Sequence, residues 1–175
     1  MTHASARQRG YNLVEVLIAM GLLSTVLIAI VTLFVMGRTN VYSGKQMTHA
    51  VSIGTSVIED LNPMTLARSL SAFGIDVDSS LAAKTVAGVE YEDAILRSTD
   101  DLADDVDGYL DRWDDLIPEQ RLANGRISLI FQPRELTDAN DVTTARILQM
   151  KVIVEWTEAQ RRRTVLLETS KLSRL

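Results

Sequence analysis

The chain has 175 residues, none of which is cysteine, and its only histidines are His3 and His49. The lack of cysteine excludes disulfides, thiolate catalysis, zinc–thiolate sites and a lipidated cysteine. Two histidines leave almost no material for a metal cluster or a catalytic triad, and no nucleophile–base set or glycine-rich phosphate loop is present. We therefore expect a protein that is not an enzyme. The net charge of -5 argues against nucleic acid as the main partner.

Charge is also missing from one long segment near the amino terminus. Positions 16–36 are 21 consecutive residues without a charge, and Ser24, Thr25 and Thr32 are the main polar side chains among them. As a helix, a run of this length spans about 30 Å, the thickness of the hydrocarbon core of a bilayer. A buried helix of a soluble protein would normally show a polar stripe. The run therefore predicts a transmembrane helix.

The residues just before the run form a specific pattern. Segment 9–20 reads RGYNLVEVLIAM, and Arg7 and Arg9 make the preceding stretch basic. This segment resembles the start of type IV prepilins and pseudopilins. The resemblance implies that a prepilin peptidase cleaves between Gly10 and Tyr11, that the new amino terminus of Tyr11 is N-methylated, and that Glu15, then the fifth residue, acts in filament assembly.

Some positions depart from the family pattern. Tyr11 stands where phenylalanine is usual, and Asn12 stands where threonine or serine is common. Many major pilins have a proline where this chain has Thr32, and here the first proline is Pro63. These departures favour a minor pilin or a pseudopilin over a main filament subunit.

Glu15 also stands out on physical grounds. A carboxylate near the centre of a membrane costs about 2.5–3.5 kcal/mol, and less near an end. Glu15 could simply extend to the cytoplasmic interface. Alternatively it pairs with the α-amino group of a neighbouring subunit, which fixes axial register because either charge alone is expensive in a low-dielectric bundle. With the resemblance, we favour the second interpretation.

The organisation of the rest follows from helical spacing and stop signals. No proline occurs from 38 to 61, and Val41, Met47, Val51, Ile58 and Leu61 recur at roughly helical spacing up to the stop at Asn62-Pro63. We predict one helix over about residues 11–61, with an apolar first half and a one-sided second half. Gly44 and Gly54 either weaken it or allow close approach. The predicted parts are a leader (1–10), a membrane or filament-core helix (11–37), its exposed half (38–62) and a globular head (63–175).

The middle of the chain is acidic. Residues 90–119 contain twelve Asp or Glu against Arg97 and Arg112. Apolar residues recur every three or four positions from Leu102 to Ile117, which predicts an amphipathic helix with an acidic solvent face. A calcium loop is the alternative, with its ligands at Asp105, Asp107, Asp111 and Asp114, but an EF-hand would need a glutamate at its last position.

Before this acidic segment, residues 64–73 are compatible with a short helix that ends at Gly74, and 76–80 with a turn. Residues 85–91 fit either a strand or a loop.

The last fifty residues alternate with period two. Strands are predicted at 126–132, 148–156 and 164–170, with a polar connection at 157–163. Its run of three arginines (161–163) is interpreted as a solvated turn, with a patch that meets acidic partners as the alternative. The predicted fold class is α+β, with a long amino-terminal helix packed on a small carboxy-terminal antiparallel sheet.

The order of tryptophans, strands and basic hairpin loosely resembles PilV-type minor pilins and the I-type pseudopilins of type II secretion. We expect a minor type IV pilin, with other pilins, the prepilin peptidase, the inner-membrane assembly platform and membrane lipid as its partners. No cofactor is expected. Filaments of this family serve adhesion, motility or DNA uptake.

The resemblance also implies a location. The precursor would cross the inner membrane once, with its amino terminus in the cytoplasm and its head in the periplasm, and would reach the cell surface after assembly. The basic residues that flank the run do not by themselves decide this topology. A type II secretion pseudopilin is the alternative within the family. A signal-anchored periplasmic enzyme or calcium-binding receptor is the alternative outside it.

Overall fold

The computed structural model describes residues 12–75, 81–100, 107–120, 122–137 and 143–174, with the backbone only for 135–137, 143–146 and 173–174. The described elements combine helices with one antiparallel sheet, so the chain has the predicted α+β layout. In chain order they are α1 (Leu13–Leu61), α2 (Leu66–Ala72), β1 (Ala82–Val86), β2 (Val89–Ser98), α3 (Tyr109–Glu119), β3 (Arg126–Thr137), β4 (Thr143–Glu158) and β5 (Arg161–Arg174).

Helix α1 has 49 residues and ends immediately before Asn62-Pro63, where proline disfavours helical geometry in the preceding residue. The predicted long helix is thus confirmed from Leu13 onward. The chain divides into two compact units, Met1–Tyr42 and Ser43–Leu175. The last third of α1 therefore belongs to the same unit as the sheet.

The buried face of α1 agrees with the predicted stripe at Ile58 and Leu61, which pack in the core, but differs from it earlier in the helix. The helix buries Gln46, Ala50, Ile53, Gly54, Val57 and Leu61, whereas Val41, Met47 and Val51 are exposed. Small residues decide this face: a Cβ built at Gly54 would overlap Leu167 Cδ1. Gly54 thus allows the helix to approach β5 closely, and the same construction at Gly44 meets nothing within 4 Å.

The five strands form an antiparallel meander in the order β1-β2-β3-β4-β5. Strand β4 lies between β3 and the edge strand β5. Its Glu155 is opposite Arg126 of β3, and its Glu158 is opposite Arg161 of β5. The β4–β5 turn has two residues, Ala159 and Gln160, and both have positive φ. This is the backbone of a tight two-residue hairpin whose twist matches that of its strands.

The strands are longer than predicted, and two details change with them. The arginines 161–163 are the first residues of β5 and do not form a loop, so their interpretation as a turn was wrong. Residues 85–91, left open between strand and loop, form the β1–β2 hairpin. The short helix and the strands in 126–132, 148–156 and 164–170 are confirmed.

The core lies between α1 and one face of the sheet. Leu148, Met150, Val152, Val154 and Trp156 all contribute to it, as their alternation predicts. The opposite face of β4 is also covered, because Ile153 packs with Ile130 and with the β1–β2 residues Val86, Tyr91 and Ala94. The expectation of a half-buried strand was therefore wrong at this position.

Helix α3 begins at Tyr109, after Gly108 in the left-handed conformation with φ 70°. The predicted helix from Leu102 was therefore too long at its start, since Asp107 and Gly108 precede α3; residues 101–106 lie outside the described part. Leu110, Trp113 and Ile117 are buried as the spacing predicts. Phe73 joins α3 to the sheet, with ring centroids 5.8 Å from Trp113 and 5.3 Å from Phe131.

Candidate functional site

Glu15 lies in the first turn of α1. Its backbone N–H donates to the carbonyl of Asn12 at 2.9 Å, so the helix starts directly before it. A carboxylate in the first turn of a helix is stabilised by the helix dipole. Exposed apolar residues of α1 lie on both sides of it, with Leu13 and Val14 before it and Val16, Leu17 and Ile18 after it. Glu15 is therefore a charged residue in the first turn of a helix whose neighbouring side chains are exposed and apolar.

The hydroxyl groups inside the uncharged run are satisfied by the helix itself. Ser24 donates to the carbonyl of Met20 at 2.8 Å, Thr25 to that of Leu22 at 2.8 Å, and Thr32 to that of Ile28 at 2.9 Å. Such bonds remove the need for water at these positions. The run is therefore chemically suited to an apolar environment all round.

Large apolar side chains of the run are exposed, from Leu13 to Met36. Within the described residues, α1 is the one helix long and apolar enough to cross a membrane. A surface of this kind requires lipid or another apolar surface to cover it.

The other residues singled out from the sequence fall into two groups. Gly10, Tyr11 and Asp105, and the predicted turn at 76–80, lie outside the described residues. Asp107 forms an ion pair with Arg68 at 3.0 Å, and Asp111 and Asp114 are exposed on α3. In the described ranges no group of three or more acidic or histidine side chains is placed to hold a metal ion.

Polar contacts at the carboxyl end of α1 hold α3 to it. The carboxylate of Asp60 accepts from the indole N–H of Trp113 at 2.8 Å and from Arg112 at 2.6 Å. Trp113 is completely buried, so Asp60 satisfies a donor that would otherwise be costly.

Lys171 binds the last carbonyl of the same helix and two carbonyls of the residues that follow it. Its ammonium group donates to the carbonyls of Leu61, Asn62 and Met64, as cations near helix carboxyl ends commonly do. Burial lowers the pKa of Lys171 from its ordinary value of 10.5. Together, Asp60 and Lys171 fix this end of α1 on the unit that contains the sheet.

Sequence reasoning missed a buried carboxylate. Glu155 is on the face of β4 that was expected to meet solvent, yet its side chain is only 2% exposed. It accepts from Arg126 at 2.5 and 3.1 Å, and Arg162 lies 3.6 Å away. The hydrogen bond to Glu155 raises the pKa of Arg126 above its ordinary value. One signal in the sequence indicated that this face of β4 is covered: Ile153, two residues before Glu155 on the same face, is apolar.

A second contact places the β4–β5 turn beside α1. Glu158 Oε2 accepts from the hydroxyl of Ser43 at 3.1 Å and from Arg163 at 3.0 Å. Ser43 lies seven residues after Met36, the last position of the uncharged run. The start of β5 is thus tied to the part of α1 that follows the run.

Comparison with protein-family models, with curated proteins and with solved structures gave no match. The assignment of a function consequently depends on the residues and on their geometry.

Proposed function

We propose that this chain is a minor type IV pilin-like subunit, made as a single-pass membrane precursor and assembled into, or priming, a filament. The observation that carries the proposal is Glu15 in the first turn of a helix whose following residues are uncharged, exposed and apolar. The segment that contains Gly10 and Tyr11 supports it through its resemblance to prepilins. The proposal assigns the protein a structural role and no catalysis.

The proposed mechanism of assembly follows from the environment of Glu15. When the uncharged run is packed among equivalent helices, water is excluded and an unpaired carboxylate becomes costly. A free α-amino group at Tyr11, produced by cleavage after Gly10, is a cation of suitable chemistry on an adjacent subunit. The pair is favourable only when the two helices are in one axial register, because a buried charge without its partner is strongly destabilising.

In this proposal the two halves of α1 have different roles. The half of α1 that follows the uncharged run packs against the sheet and α3. Contacts at Gly54, Asp60 and Lys171 hold it there. The large apolar side chains of the uncharged half are exposed in the described part of the chain, and other pilins would cover them in the filament. Before assembly, membrane lipid would cover them.

Substitution of Glu15 tests the proposal. Glu15→Leu removes a charge from the membrane segment, so insertion should be unharmed or improved, and cleavage after Gly10 should persist. Entry into filaments should fail. Glu15→Asp shortens the side chain by one methylene and should give a partial defect, since a buried pair depends on close geometry. Fractionation into membrane and sheared-filament pools measures both effects.

Ser24→Leu is the matched control, because it also replaces a polar side chain of the run by leucine but removes a hydroxyl already satisfied by Met20. It should enter filaments normally. Normal incorporation of Glu15→Leu would show that Glu15 serves only at the membrane interface and would refute the proposed assembly role.

A further inference from the structure

The start of β5 carries three consecutive arginines in a chain whose net charge is negative. Arg161, Arg162 and Arg163 follow the two-residue turn at Ala159 and Gln160, and all five residues are exposed. We call residues 159–163, that is, the two turn residues and the first three residues of β5, the arginine turn. An exposed cationic site that is fixed by tertiary contacts requires a physical explanation beyond solubility.

The two carboxylates that pair with the arginine turn offset part of its charge, but they are much less exposed than the arginines themselves. Arg162 is 67% exposed above Glu155, which is 2% exposed. Arg163 is 51% exposed above Glu158, which is 12% exposed. A guanidinium has five donors, and one contact with a carboxylate leaves the others directed elsewhere. What faces outward is consequently cationic.

The arginine turn is tied to Ser43 of α1, a residue that follows the uncharged run closely in sequence. Ser43 contacts Glu158, and Glu158 contacts Arg163. Ser43 follows Met36 by only seven positions. A chain of seven residues spans at most about 25 Å even when fully extended. If the run crosses a bilayer, the arginine turn is therefore within reach of the lipid headgroups on that side of the membrane.

We infer that the arginine turn is a docking surface for anionic phospholipid headgroups, which holds the sheet unit against the membrane before assembly. This inference rests on the membrane anchoring in the proposed function. A guanidinium binds phosphate oxygens through paired hydrogen bonds. Each basic residue near an anionic surface strengthens binding about fivefold, and the effect fades within a Debye length of about 8–10 Å. Entry into a filament would then require release of these contacts.

The absence of cysteine permits a site-specific test in the full chain. Gln160→Cys places a single thiol in the arginine turn for an environment-sensitive fluorophore. Asp114→Cys on α3 is the control site, because α3 contacts α1 at Asp60, which is seventeen residues, or about 25 Å of helix, beyond Ser43. Each labelled protein is reconstituted in vesicles of phosphatidylcholine alone or with phosphatidylglycerol. A nitroxide on the phosphatidylcholine headgroups quenches a fluorophore that touches the surface.

The expected result is quenching at position 160 that rises with the phosphatidylglycerol content and disappears in about 0.5 M NaCl, where the Debye length falls below about 5 Å. Position 114 should not respond. Arg161→Glu should reduce the ratio of docked to undocked protein at least about fivefold, and Arg161→Lys should retain docking. Circular dichroism of both variants verifies that the sheet is intact.

Equal quenching in neutral and anionic vesicles, or quenching unaffected by Arg161→Glu, would overturn the inference. Quenching that depends on protein density and not on lipid charge would overturn it as well, and would indicate contact with a second copy of the chain. Failure of the anchor is distinguishable, because the protein would then not float with vesicles of either composition, which would contradict the proposed function itself.

Discussion

Acidic residues in this chain have different roles because their surroundings differ. Glu15 lies at an exposed helix start, Asp60 satisfies a buried indole, and Glu155 is enclosed beside two arginines. In the sequence, Glu155 is one polar position in an alternating strand. Its burial accompanies the pairing of β4 with the strand that carries Arg126, whose guanidinium binds the Glu155 carboxylate.

This arrangement predicts an asymmetry between single and double substitutions. Arg126→Met leaves the carboxylate of Glu155 buried with only the more distant Arg162. It should lower the free energy of unfolding by about 2 kcal/mol, which is below the value for a fully buried pair because Arg126 is itself 30% exposed. The double variant Arg126→Met/Glu155→Leu should recover part of this loss. Urea unfolding followed by tryptophan fluorescence measures it, since Trp113 and Trp156 are both buried.

Arg134→Met is the control for the loss of an arginine, because Arg134 is exposed on the same strand. It should change the free energy of unfolding by less than about 0.5 kcal/mol. A double variant less stable than Arg126→Met would contradict the interpretation of Glu155 as a buried charge that needs its partner.

At the scale of the element, α1 shows how small residues select the packed face of a helix. Apolar spacing alone favoured a stripe that includes Ile58 and Leu61, which do pack in the core. The same stripe includes Val41, Met47 and Val51, which the structure leaves exposed. The packed face contains Ala50 and Gly54 instead. A helix approaches a sheet most closely where its side chains are smallest, and this proximity lets the neighbouring Ile53 and Val57 be fully covered.

The two glycines of this part of α1 should therefore respond oppositely to the same substitution. Gly44→Leu adds a good helix former at an open position and should stabilise by about 0.5–1 kcal/mol. Gly54→Leu adds the same side chain against Leu167 and Val154 and should destabilise by about 1–3 kcal/mol through overpacking. The urea midpoints of the two variants give the comparison, and a stabilised Gly54→Leu would show that the approach to β5 is not tight.

The acidic segment gives a prediction at the same scale. Asp107 is paired with Arg68 and precedes α3, while Asp111 and Asp114 lie on the helix itself. We expect millimolar calcium to raise the melting temperature of the full chain by no more than about 1 °C, since only a ligand that binds the folded state tightly stabilises it by mass action. Magnesium at equal concentration is the control. A saturable shift of several degrees with calcium alone would instead favour the calcium loop.

At the scale of the whole molecule, maturation should change where the chain begins. We expect cleavage between Gly10 and Tyr11, because glycine has no side chain to obstruct an extended backbone in a peptidase cleft. Intact-mass measurement of membrane-extracted protein should show the loss of residues 1–10 and any methyl group added to Tyr11. Gly10→Val should block the cut without preventing membrane insertion. A mature protein that begins at Met1, or after Gly37, would contradict this prediction.

Removal of the leader would also change the charge balance of the molecule. The leader contains two arginines and no acid, so the net charge would move from -5 to -7. Most of the negative charge lies in residues 90–119, whereas the arginine turn is cationic. This polarity within one chain is compatible with opposite preferences of the two regions for an anionic membrane.

The sequence by itself determined the features that depend on local pattern. The extent of α1 followed from an uncharged run and a proline stop, and the buried face of β4 from its period-two alternation, because each signal is contained in neighbouring residues. Glu15 was recognisable for the same reason, since a charge at the edge of an apolar run is visible without any tertiary contact.

Only the tertiary structure decided which strands are buried on both faces and which polar groups contact each other. The β1–β2 hairpin packs on Ile153. Glu155 binds Arg126, which is 29 residues away in the sequence, and Ser43 binds Glu158, which is 115 residues away. Such contacts depend on the register of strands and on the approach of a helix through Gly54, neither of which has a signature in a short window of sequence. The position of the arginine turn next to α1 is a property of this kind.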